Sequence, residues 1–271
     1  MASMTDAELQ ISIIIPTNNS GQFIQDTCES LLAQAECCWE AVFVDAGSVD
    51  RTVEIINSYK DPRFRIQTFT GGTTFALMNR GIMLAQAPYV HLLIEGCIYI
   101  SPNSLATALK KIEEHKFPDI FYTASYVGDE RGKMHLYYLP EVSSYLKNGY
   151  QPALLQACFI QTALFKSVGY FRTDLVWRSA LEFFCRLQGR SEVRIASEFR
   201  VYVEMFLFPP KFLHAKLVYR ETQAVIQRYF GLLAAIRWRL SPKGLANTGS
   251  KFLLDVVVSE MKGSGPRARA I

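Results

Sequence analysis

The stretch ISIIIPTNN, Ile11 to Asn19, decides the fold. Four isoleucines in five residues make a short β-branched run, the composition of a strand buried on both faces. Pro16 and the following Asn18, Asn19, Ser20 and Gly21 end it with turn chemistry. A doubly buried strand belongs in a parallel sheet, and parallel neighbours need helical crossovers. The next residues supply one: Phe23, Ile24, Cys28, Leu31 and Leu32 recur at helical spacing across 23–34. A second strand follows over 39–44, closed by Asp45, Ala46, Gly47 and Ser48. Ser48 is placed to cap a helix over 49–59 that carries Val53, Ile55 and Ile56. A strand over 64–69, a helix from Gly71-Gly72 to about residue 86, a strand over 89–94 and a helix from Ser101-Pro102 to about His115 complete the series.

This alternation predicts the α/β class, a three-layer α/β/α arrangement around a mostly parallel, Rossmann-like sheet. Ligands of such sheets bind at the carboxyl ends of the strands. The loops that matter are therefore 16–21, 45–50, 71–74 and 95–101. The second half is mixed: strands over 119–127, 133–139 and 157–160, helices to Val168 and over 180–188, strand-rich sequence over 192–208, and an amphipathic helix over 221–240.

With 271 residues, 49% hydrophobic and 20% charged, the chain suits one large domain with a small appendage. The expected division is 1–208 for the α/β domain and 209–271 for a basic, mainly helical C-terminal extension. That last segment holds eleven Lys and Arg against three Asp and Glu, a net of +8. The whole chain carries +4, so residues 1–208 carry −4. A basic tail on an acidic body suggests an anionic partner, such as a membrane surface or a phosphate-bearing substrate. No nucleic-acid motif accompanies it. The six cysteines show no CxxC pair and no metal spacing, which fits reduced thiols in a cytoplasmic protein. No apolar run approaches the roughly 18–20 residues of a membrane span.

Five segments in order resemble glycosyltransferase family 2: ISIIIPTNN at 11–19, FVDAGSVDRT at 43–52, LMNRGI at 77–82, the strand and loop over 89–102, and FKSVGYF at 165–171. The nearest variety is the group that makes bacterial surface polysaccharides. The resemblance implies the GT-A fold and a nucleotide-diphosphate sugar donor of the UDP or GDP type. It also implies inverting transfer to a glycan or lipid-linked acceptor; the expected location is cytoplasmic, or peripheral at the inner face of the membrane. A base N–H needs an acceptor, and Asp45 at the end of the second strand is placed to supply one. Capping of the following turn is the other use of that position. By resemblance, the backbones of Pro16 and Thr17 line the same pocket, and Asn19, Gly47, Asn79, Arg80, Glu95 and Arg178 complete the substrate-binding set.

The departures from the family pattern concern acids. Two carboxylates in a D-x-D motif hold Mn²⁺ or Mg²⁺ against the diphosphate in such enzymes. Here the triplet is Ile94, Glu95, Gly96, so no protein-held metal is expected. A further family acid falls on Ala76. The acid that deprotonates the acceptor falls on Ala180, within ALEFFCRL at 180–187, which leaves Glu182 as the candidate catalytic base. Cations from the pool Arg80, Arg172, Arg178, Lys211, His214 and Arg220 could replace the metal. Two functions stay open: sugar transfer, and an inactive homologue that binds nucleotide sugar or serves as a scaffold. His91, inside an apolar strand, is expected to be a core histidine. Tyr137, Tyr138, Tyr145 and Tyr150 suit either packing or a sugar platform. The helix over 221–240 suits either docking on the domain or an anionic membrane surface.

Overall fold

The computed structural model describes residues 9–35, 38–128, 134–140, 143–206 and 212–241, with backbone alone at 143–144, 205–206 and 212–215. The first half runs β1 (Ile11–Thr17), α1 (Ile24–Leu32), β2 (Trp39–Asp45), α2 (Thr52–Ser58), β3 (Phe64–Thr68), α3 (Thr74–Leu84) and β4 (Tyr89–Leu92). The second runs β5 (Ile98–Tyr99), α4 (Ser104–Glu114), β6 (Ile120–Gly128), β7 (Met134–Tyr137), α5 (Ser143–Leu146), β8 (Cys158–Gln161), α6 (Thr162–Val168), α7 (Ser179–Leu187), β9 (Ile195–Phe206), α8 (Phe212–Phe230) and α9 (Leu232–Leu240). The strands form one mixed sheet in the order β3-β2-β1-β4-β8-β6-β9-β5, with β7 on β6. Its β3-β2-β1-β4 half is wholly parallel, and β4 meets β8 antiparallel.

Strand β1 is central because both its faces are apolar. Ile14, with Val42 and Val44 of β2, packs under α3, α6 and α7. Ile11, Ile13 and Ile15 pack under α1 and α4 on the opposite face. Pro16 is tolerated inside this strand for a local reason. Leu93 N donates to Ile14 O, so the backbone of residue 14 faces β4, and residue 16 faces the same way. The β4 ladder has ended by then, at Ile14↔Leu92, so no strand waits there for an N–H that proline lacks.

Helix α3 lies close to the sheet because Gly81 faces β1. A Cβ at Gly81 would stand 2.2 Å from Ile14 Cγ2 and 3.1 Å from Val44 Cγ2. Alanine improves helix propensity by about 1 kcal/mol, but overpacking costs about 1–3 kcal/mol. Gly81→Ala is therefore expected to lower stability by about 1–2 kcal/mol, read as a lower urea midpoint. An unchanged or higher midpoint would show that the contact relaxes freely.

Several elements differ from their sequence expectations. Helix α2 starts at Thr52 rather than 49, because Ser48 is bonded to Asp45 and Asp50 instead accepts from Thr52 N. The short β5 pairs with β9, a contact between distant residues that no local pattern announces. The helix expected over 221–240 begins at Phe212 and breaks at Gly231, whose φ is +86°. Tyr137 and Tyr150 are buried, so packing accounts for them. The described cysteines, Cys28, Cys38, Cys97, Cys158 and Cys185, are buried.

His91 is fully buried in β4. Its Nε2–H donates to Gln156 O at 2.9 Å, its Nδ1 accepts from Tyr99 O–H at 2.6 Å, and its ring stacks on Phe159 at 4.2 Å. Both nitrogens are used in the neutral form, as a core histidine requires.

Candidate active site

Strands β2, β1 and β4 are adjacent and parallel, so their carboxyl ends share one edge of the sheet. That edge carries Asp45, Pro16, Thr17 and, just past β4, Glu95. The first two loops there are bound to each other through one carboxylate. Asp45 Oδ1 accepts from Thr17 Oγ1 at 3.0 Å and from Ser48 Oγ at 2.5 Å. Its Oδ2 accepts from Gly47 N at 2.9 Å and Ser48 N at 2.8 Å. With four donors and 1% exposure, Asp45 acts here as the knot of the two loops. Gly47 permits the turn by adopting φ +92°.

Asn19 ties a second crossing between the same loops. It sits at φ +53°, its N–H donates to Ser48 Oγ at 2.9 Å, and its Oδ1 accepts from Val49 N at 2.9 Å. Asp50 adds a third, accepting from Gly21 N at 2.9 Å while bonding Thr52. The bonding of Ser48 into this knot was the element that sequence reading missed, since a serine before a helix most simply suggests a cap.

Glu95 has a different character. It occupies the turn after β4, where Gly96 adopts φ +82° and its N–H donates to Thr27 Oγ1 of α1 at 3.1 Å. Among the described residues, no other side chain pairs with the Glu95 carboxylate, and partial burial pushes its pKa above the usual carboxylate range. It is thus a part-buried acid in the turn after β4, with no side-chain partner among the described residues. Its neighbours Ile94 and Gly96 bring no ligand, and among the described residues no group of three His, Cys, Asp or Glu could hold a metal ion. These residues do not fit a protein-held divalent cation, which needs several oxygen ligands.

The remaining candidates are placed elsewhere. Asn79 on α3 is clamped to one backbone: its Nδ2 donates to Phe171 O at 2.8 Å and its Oδ1 accepts from Phe171 N at 3.0 Å. Arg80, one residue on, is exposed and lies 5.7 Å over the Phe69 ring, beside the β3–α3 loop. Arg178, ahead of α7, is 8% exposed, and burial pulls its pKa down to about 10. Arg172 is engaged by Asp174. Arg220 is exposed on α8. Lys211 lies outside the described residues, as does the side chain of His214.

Glu182 requires a correction. It is 1% exposed, and its Oε1 accepts from Tyr229 O–H of α8. Its Oε2 stands 3.0 Å from Arg186 Nε, an ion-pair contact whose angle is not that of a directed hydrogen bond. Arg186 in turn donates to Val168 O at 3.0 Å and Tyr170 O at 2.7 Å. The Glu182 carboxylate is enclosed in a structural network and has no open side to take a proton from an acceptor. Glu221 of α8 was also unforeseen. It is buried and accepts from Val176 N, Trp177 N and Arg178 N at 2.9–3.0 Å, so it binds α8 to the turn that begins α7.

A half-parallel sheet with its strand-end loops gathered on one edge is consistent with the GT-A α/β fold. The sequence profile of "Glycosyl transferase family 2" matches residues 12–172, more than half of the chain, and the chain belongs to that family. Among curated proteins it is 25% identical over 183 residues to the uncharacterized glycosyltransferase EpsJ of Bacillus subtilis, covering 64% of this chain and 52% of EpsJ. It is 29% identical over 132 residues to glycosyltransferase GlyG of Streptococcus pneumoniae, covering 47% of this chain and 43% of GlyG. The chain thus spans about half the length of these relatives. Among solved structures, Staphylococcus aureus TarS 1–349 superposes with a TM-score of 0.64 at 20% identity, covering 93% of this chain and 77% of that one. A complex of the same TarS fragment with UDP-GlcNAc gives 0.63 at 17% identity, covering 88% and 78%. The mannosyltransferase PcManGT of Pyrobaculum calidifontis, with GDP-Man and Mn²⁺, gives 0.60 at 14% identity, covering 96% and 76%.

Proposed function

We propose that this chain transfers a sugar from a UDP- or GDP-type donor to a hydroxyl of a glycan or lipid-linked acceptor, with inversion and without a protein-held metal. Glu95 is the observation that carries the reading: a carboxylate at the carboxyl edge, unpaired among the described residues, with a raised pKa suited to a base. In the reaction the acceptor oxygen bonds to the anomeric carbon as the bond from that carbon to the diphosphate oxygen breaks. The electron pair leaves with the nucleoside diphosphate, and Glu95 receives the acceptor proton. The negative charge on the leaving group is met by the exposed Arg80 beside the β3–α3 loop. The UDP-GlcNAc complex of TarS and the GDP-Man complex of PcManGT support a nucleotide sugar as the donor.

The enclosure of Glu182 favours a second reading, donor binding without transfer. One set of measurements separates the two. UDP or GDP is expected to raise the melting temperature, and Asp45→Ala to remove the shift by untying the two loops. Titration of UDP with and without Mn²⁺ is expected to differ less than tenfold, under roughly 1.4 kcal/mol. Donor turnover is expected and should fall at least a hundredfold in Glu95→Gln. Nucleotide binding with no turnover of any UDP- or GDP-sugar would leave only the binding reading. No shift at millimolar nucleotide would remove both, and a tenfold Mn²⁺ gain would show a working metal site.

A further inference from the structure

Helices α8 and α9 face the protein and the solvent in different ways. Helix α8 docks on the body through Val218, Thr222, Val225 and Ile226, all buried. Helix α9 docks through Ala235 and Trp238, whose Nε1–H donates to Asn148 O at 3.0 Å. Its other side is also apolar and stays in solvent: Leu232 is 60% exposed, Leu233 77%, Ile236 42% and Leu240 68%. At about 100° per residue, these four side chains fill an arc of roughly 100°, centred about 140° around the helix from the docked Ala235 and Trp238. Arg239 falls at one margin of the arc and Arg237 at the other, both exposed. Four large aliphatic side chains on nine residues, bordered by cations, are not the scattered exposure of an ordinary surface.

On α8 and α9 themselves the exposed charge is of one sign. Over residues 216–241 the exposed charged side chains are Lys216, Arg220, Arg228, Arg237 and Arg239, while the single acid, Glu221, is buried against the N–H groups ahead of α7. We infer that α9 is an interfacial helix that docks this protein on an anionic lipid bilayer. Its apolar arc enters the headgroup boundary, and Arg237 and Arg239 reach outward to lipid phosphates along their aliphatic stems. Charge complementarity selects the bilayer as occupant. An anionic surface accepts Arg237 and Arg239 at the two margins of the arc, and a second copy of the same face would oppose cation to cation. The surface is separate from the carboxyl-edge site, so the inference stands or falls apart from the donor reading.

The test is co-sedimentation of the full chain with vesicles. Vesicles of phosphatidylcholine with about one-third phosphatidylglycerol are expected to bind at least tenfold more protein than pure phosphatidylcholine, and 0.5 M salt should remove most of the difference. Leu233→Glu with Ile236→Glu, both at exposed positions, should reduce binding at least tenfold while the nucleotide-induced melting shift stays as in the parent. Arg237→Glu with Arg239→Glu should erase the preference for anionic vesicles. Equal partition to both vesicle types would overturn the inference. So would vesicle binding that survives the Leu233 and Ile236 changes. A vesicle-inert protein whose dimer dissociates in the Leu233→Glu variant would assign the face to a second copy instead.

Discussion

Glu182→Ala is expected to lower the unfolding free energy by about 2–3 kcal/mol, the cost of leaving a half-buried cation and a tyrosine hydroxyl without their acceptor. The substitution removes the acid that faces Arg186 at 3.0 Å and the acceptor of the Tyr229 hydroxyl, both in the interior of α7 and α8. Arg186 would keep its bonds to Val168 O and Tyr170 O, so its charge stays held in place without a counter-ion. Burial and the carboxylate together push the Tyr229 pKa up to about 12, a sign of how enclosed the pair is. Glu182→Gln should lose less, since an amide oxygen still accepts from Tyr229. Urea unfolding of the three proteins measures this. If Glu182→Ala stays within about 1 kcal/mol of the parent while donor turnover disappears, the structural role is wrong and Glu182 regains the role of base.

Acid is expected to destabilise the protein through His91 by about 3 kcal/mol between pH 6.5 and pH 4. Burial lowers its pKa from 6.5 to about 4, against a smaller upward effect of the Gln156 carbonyl. The folded state therefore holds His91 neutral, while the unfolded chain binds a proton below pH 6.5. The contribution is fully present above 6.5, declines as the pH falls, and is exhausted below about 4. Glutamine at this position offers an amide N–H to Gln156 O and an oxygen to Tyr99 O–H, and it does not titrate. His91→Gln should thus flatten the fall in the urea midpoint between pH 7 and pH 4.5. An identical fall in parent and variant would place the acid sensitivity elsewhere.

The difference between these residues and the ones that declared themselves early is one of range. The ISIIIPTNN segment named its own strand, because a doubly apolar run ended by proline and asparagines has few other uses. The alternation over the first 115 residues then prescribed the parallel half of the sheet and the edge where its loops gather. The five ordered segments carried the family. The partners of α7 were not legible in this way: Tyr229 is 47 residues from Glu182 and Glu221 43 residues from Arg178, brought to α7 by the docking of α8.

Sequence by itself determined the α/β class, the order of the elements through β4, the family, and Asp45 and Glu95 as acids at strand ends. Each of these rests on local chemistry, the period of apolar residues and the few residues that end a strand or turn a loop. Only the tertiary structure decided that Asp45 is spent on Thr17, Gly47 and Ser48 while Glu95 is left unpaired among the described residues. It alone decided that Glu182 faces inward, that Asn79 holds Phe171, and that α9 turns Leu232, Leu233, Ile236 and Leu240 to solvent. The physical reason is the same throughout. A side chain's chemistry is set by whether its partners are supplied by the protein or left to a ligand, and those partners come from segments that only folding brings together.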